Sequence, residues 1–215
     1  MSLFRRKPRG EARAALRAPE VACGLPGVAS VTIDYDPAVW LRLPSVGVDR
    51  TEWVERALAA YAEDLGWTPG TDAHGRLEAA LNAIADGELT SLASFISFDA
   101  KATRHTLAVI KLLDDELMDL EFGGPDVFLT FSNDPSRPPA KPQTFLNSFQ
   151  WAARGALNDD GSYIRVTHAH RLVETDPPLH LAGTCFGSRG GDAGPFATLF
   201  HHIHVEPAAG AGEPR

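Results

Sequence analysis

The sequence predicts an α+β fold: a mostly antiparallel sheet of about seven to nine strands with two consecutive helices packed on one face. Three observations lead there. Apolar residues recur at sustained helical spacing between residues 49 and 86. From residue 91 onward, short apolar or alternating runs are separated by turn signals. The hydrophobic content of 44% over 215 residues is enough to build a sizeable core.

"VTIDY" (31–35) alternates Val31, Ile33 and Tyr35 and reads as a strand; "DP" turns the chain, and "AVWLRL" (38–43) reads as a second. Asp49, with Glu52 three residues on, is a capping-box-like helix start. Trp53, Val54, Ala57, Leu58, Tyr61 and Leu65 form the apolar stripe of that helix, and Gly66 is its stop. A second helix is expected over 73–86, with Leu77, Ala80, Leu81 and Ile84 inward and Gly87 as its stop.

Two strand pairs come next: 91–98 with 105–113, then "ELMDLEF" (116–122) with "VFLTFS" (127–132). The acidic run Asp114, Asp115, Glu116, Asp119, Glu121 lacks the spacing and central glycine of an EF-hand and reads as a solvated edge. Residues 133–143, with four prolines, read as a surface loop. "TFLNSFQWAARGAL" (144–157) suits helix or strand. The turn signal "NDDG" behind it favours a strand. Strands are then expected at 163–174, 179–186 and 196–206.

These elements define a single domain over 29–206, preceded by a basic, irregular tail (1–28) and followed by a disordered C-terminal tail (207–215). Residues 1–20 carry six cations and two acids, a local +4 that leaves −12 for the remainder of a chain of net charge −8. That balance argues against nucleic acid as a partner. No apolar run resembles a signal peptide or a transmembrane segment, and Cys23 and Cys185 have no ligand spacing; both point to a cytoplasmic protein with free thiols.

The glycine loop 187–194 lacks a GK[ST] ending and joins two predicted strands, so it is not a phosphate cradle. Cys185 sits in an apolar strand with no nucleophile elbow around it. No cofactor fingerprint is present.

Chemistry-bearing residues concentrate late: six of the eight histidines fall between His168 and His204. Alternation sorts them by face. Aligning apolar faces, with 174 opposite 179 and 186 opposite 196, places His180 across from His202, with His204 and Glu206 on the same side. A divalent transition metal held by His180, His202, His204 and Glu206 is one expectation. A one-residue slip would instead bring His168, His170 and Glu174 to His180. His168, His170 and Glu174 have the spacing HxHx₃E, which over seven residues resembles the first metal-binding motif of the cupins. Metal ligation by these three residues is what that resemblance implies. The second cupin motif is not found, and no family assignment is made.

Two functions therefore stand. One is a non-catalytic domain that binds a protein partner or self-associates, suggested by the missing catalytic constellation and by a face carrying Phe196, Phe200 and His202. The other is a metal-dependent small-molecule enzyme or sensor built on the histidine cluster.

Overall fold

The computed structural model describes residues 26–44, 49–65, 68, 70–85, 92–98, 105–130, 141–157, 163–188 and 194–208. The fold is α+β with mostly antiparallel sheet. The larger sheet has seven strands: β2 (Leu41–Arg42), β3 (Ala93–Phe98), β4 (His105–Leu113), β5 (Gln143–Phe145), β6 (Phe149–Leu157), β7 (Tyr163–Val173) and β8 (Leu179–Ser188). Their order across the sheet is β2-β3-β4-β8-β7-β6-β5. A smaller antiparallel sheet pairs β1 (Val28–Ile33) with β9 (Ile203–Pro207). The chain divides into two compact units.

The first unit holds the two predicted helices, α1 (Arg50–Leu65) and α2 (Asp72–Ala85). The Asp49 carboxylate accepts from the amides of Thr51 (2.9 Å) and Glu52 (3.2 Å), so the predicted cap forms. Trp53, Val54, Ala57, Leu58 and Tyr61 are buried along one stripe, as are Leu77 and Leu81 of α2. The edge of the Tyr61 ring meets Phe98, with centroids 5.6 Å apart. The strand expected at 38–43 is reduced to Leu41–Arg42, preceded by an Asp36-capped turn in which Trp40 N–H donates to the Asp36 carbonyl at 2.8 Å.

The second unit departs from expectation in two segments and in the register of one strand pair. Residues 131–132 lie outside the described residues, and 116–122 and 127–130 are not strands. They form α3 (Asp115–Phe122) and α4 (Pro125–Thr130). Local chemistry accounts for the switch. The Asp114 carboxylate accepts from Leu117 N–H (2.8 Å), and Asp115 and Glu116 place negative charge at the helix N-terminus. At the other end Gly123 adopts a left-handed conformation (φ 72°). Gly123 and Gly124 then donate to the Asp119 and Met118 carbonyls.

Residues 196–206 likewise split into α5 (Gly194–His201) and β9, with the break at His202. Pro195 suits a first helical turn, and Phe196, Ala197 and Phe200 fall on one buried stripe. The pairing of 186 with 196 therefore does not form. The segment 144–157 is a hairpin, turned at Leu146 and Asn147, which both have positive φ. The proline-rich segment 133–140, the loop 189–193, both tails beyond 26 and 208, and the stops at Gly66 and Gly87 lie outside the described residues.

Register decides which side chains meet on the larger sheet. Val173, and not residue 174 as expected, pairs with Leu179, so Leu172 faces His180, His170 faces Ala182, and His168 faces Thr184. Leu113 and Lys111 of β4 extend the same rows beside His180 and Ala182. One face of the sheet thus carries Lys111, Leu113, His168, His170, His180 and Thr184. Against it lie Met118, Phe128 and Leu129 of α3 and α4, in a buried cluster with Leu113 and Ala182. The opposite face receives α5. Phe149 and Phe200 meet edge-on at 4.9 Å, and Gly183 lies directly beneath the rings of Phe200 and Phe196.

Candidate functional site

The three strand residues His170, Leu172 and His180 and the first turn of α3 converge on one locality. His180 is buried, and its Nε2–H donates to Asp115 Oδ1 at 2.6 Å. The other ring nitrogen of His180, Nδ1, lies 2.8 Å from His170 Nε2. The two rings stack with centroids 5.1 Å apart. The result is a continuous chain, Asp115 carboxylate to His180 to His170, joining α3, β8 and β7.

Burial, reinforced by the neighbouring His180 and partly opposed by Asp126, lowers the His170 pKa from 6.5 to about 4. His170 is therefore neutral at pH 7. Beside it, His168 Nδ1 lies 3.2 Å from Thr184 Oγ1, and its ring meets that of Phe128 edge-on at 4.6 Å. Lys111 pairs with Glu121 of α3 and sits over the Phe122 ring at 5.5 Å. Polar contacts at both ends of α3 thus tie it down while Met118 fills the apolar space beneath.

Tied in this way, α3 turns the rest of its surface outward. Leu120 is 79% exposed and Leu117 39%; Leu172, directly across from His180, is 53% exposed, and Val127 of α4 is 46% exposed. Glu116 and Asp119 are exposed beside the leucines. Large apolar side chains at such exposure, several on one short stretch, are a recognised mark of contact surfaces.

The sequence-predicted residues fall in several separate places. His180 is in the chain of hydrogen bonds with Asp115 and His170. His202 is exposed at the turn after α5; His204 is exposed on β9 opposite Thr32. Glu206 accepts from Ser30 Oγ at 2.7 Å. Helix α5 replaces the strand that would have set His202 across from His180, and those two are not brought together by any strand pairing. Of the second set, His170 reaches His180, His168 turns to Thr184, and Glu174 is exposed just beyond β7. His201 lies 3.0 Å from Ser148 Oγ through Nδ1. Among the described residues no group of three or more His, Cys, Asp or Glu is arranged to hold a metal ion.

Phe196 and Phe200, expected as a contact face, are buried at 1% and 0% exposure because α5 turns them onto the sheet. Cys185 lies on that same opposite face, where burial pushes its thiol up to about 12. Asp115 was missed as a site residue. The signal for it was present: an aspartate cap at 114 and a Gly-Gly stop at 123–124 bracket one short helix.

No described helix is long and apolar enough to cross a membrane. No family model matches the chain, and no curated protein matches it. Among solved structures it is similar to LpqN, described as involved in cell envelope biogenesis of Mycobacterium tuberculosis. That similarity has 10% sequence identity and a TM-score of 0.44, and covers 86% of this chain and 87% of LpqN.

Proposed function

We propose that this chain is a non-catalytic protein-binding module whose contact surface is the outer side of α3 with Leu172 beside it. The observation that carries the reading is the exposure of Leu120 and Leu172 around a helix that is otherwise firmly attached. A solvent-facing leucine at 79% exposure contributes nothing to the chain's own core. Burying it against a partner would be favourable by roughly 1.5–3 kcal/mol.

The polar chain beneath supports a positioning role for His180. Both of its ring nitrogens are engaged, one with Asp115 and one with His170. Neither nitrogen is left to take a proton from a substrate. Cys185 faces away, its thiol held far above the range of a thiolate nucleophile at pH 7.

The test is retention of proteins from the source cells on three immobilised forms: wild type, Leu120→Asp and Glu78→Arg. Glu78 is an exposed residue of α2 and serves as the control. The reading expects a protein retained by wild type and Glu78→Arg but lost by Leu120→Asp. The same proteins on all three forms would overturn it. If the lost protein is a second copy of this chain, the module is self-associating.

A further inference from the structure

We propose that the occupant of the α3 face is a cationic, amphipathic segment of a protein partner, an inference that rests on the contact surface assigned above. Charge complementarity supports it. Residues 114–130 carry Asp114, Asp115, Glu116, Asp119, Glu121 and Asp126, with no lysine or arginine among them.

Three of the six carboxylates are already used within the fold. Asp114 caps the helix, Asp115 accepts from His180, and Glu121 pairs with Lys111. Glu116 and Asp119 are exposed and have no ion pair among the described residues. They flank the apolar pair on the helix surface: Glu116 is four residues before Leu120, Asp119 adjoins it, and Leu117 is three before it. Residues three and four apart on a helix are surface neighbours.

The face therefore offers leucine side chains rimmed by unneutralised carboxylates. A partner with acids around its apolar stripe would meet like charge at every rim position. A lysine- or arginine-flanked apolar stripe would bury the leucines and place its cations within a Debye length, about 10 Å at 0.1 M salt, of Glu116 and Asp119. Fields of this kind act mainly on encounter rate and selectivity, whereas the leucines hold the complex together.

Three synthetic peptides test the idea by fluorescence anisotropy against the full chain: a helical leucine–lysine peptide, a leucine–glutamate peptide of the same spacing, and a serine–lysine peptide of the same charge. The leucine–lysine peptide is expected to bind best. Leu120→Asp should weaken it about tenfold even though it adds an attractive negative charge. The double variant Glu116→Lys/Asp119→Lys should weaken it by a similar factor and reduce its salt dependence.

All substitutions are at exposed positions, and an unchanged urea midpoint verifies the fold. Serine–lysine binding equal to leucine–lysine binding would overturn the inference, since it would show bulk charge alone. So would leucine–glutamate binding that is as tight and is lost in Leu120→Asp; that result would keep the contact surface and refute the partner's charge. If Leu120→Asp changes no peptide's binding, the contact surface fails as well.

Discussion

His180 is the residue on which the site turns, and its environment makes two predictions. Replacing it with alanine removes the link from Asp115 to His170 and leaves a hole between α3 and the sheet. The expected loss is about 1–3 kcal/mol of stability, read from the urea midpoint. The second prediction concerns acid. An unfolded His170 titrates near 6.5, and the folded one near 4. Between those values the unfolded chain binds more protons, so stability falls as pH drops from about 6.5 and the loss is complete below about 4. The full shift would amount to about 3 kcal/mol, and screening at this half-buried site reduces it to roughly 1–2 kcal/mol. His170→Gln should flatten that part of the stability–pH curve, and a curve unchanged by the substitution would refute the assignment. Cys185 offers an independent check on the opposite face. In a Cys23→Ser background its buried thiol should resist iodoacetamide in the native protein and react on unfolding. The sequence showed that His170 and His180 were candidates but not which histidines meet. Register was inferred from aligning apolar faces, and that criterion needs a polar face. Here Leu179 through Gly183 are buried on both sides, by α3 and α4 on one and α5 on the other, so alternation lost its meaning.

At the scale of elements, α1 and α2 were legible because their stripes run through several turns and Asp49 caps the first. The strands β4, β7 and β8 were legible from β-branched and alternating runs bounded by turns. The helices α3 and α5 were not. Each spans eight residues, about two turns, too short for a 3.6 period to stand out from a period of two. Their ends were the better guide: Asp114 and Gly123 for α3, and Pro195 for α5. Asp114→Ala should therefore cost about 1 kcal/mol, measured as a shift of the denaturation midpoint. Packing between α5 and the sheet makes a stronger prediction. A Cβ on residue 183 would lie 2.7 Å from the Phe200 ring and 3.1 Å from the Phe196 ring. Both rings are buried and cannot swing clear. Gly183→Ala should destabilise the chain by about 1–3 kcal/mol through overpacking. A neutral effect would mean that α5 does not press on β8.

At the scale of the molecule, the fold class was readable from the distribution of periods along the chain, and the negative balance was readable from composition. The proposed contact surface was not, because it depends on a helix that the sequence presented as a strand edge. Once α3 is a helix held down by His180 and Lys111, its exposed leucines and free carboxylates become one surface. Leu120→Asp should leave the urea midpoint within about 0.5 kcal/mol of wild type, as expected for a side chain 79% exposed, while abolishing partner retention. The most direct test of the contact surface is photo-cross-linking in the source cells from a benzophenone side chain placed at position 120, with position 78 on α2 as the control. The account predicts a discrete adduct from position 120, none from position 78, and a weaker adduct from position 120 when His180→Ala loosens α3. Equal adducts from both positions, or none from position 120, would contradict it.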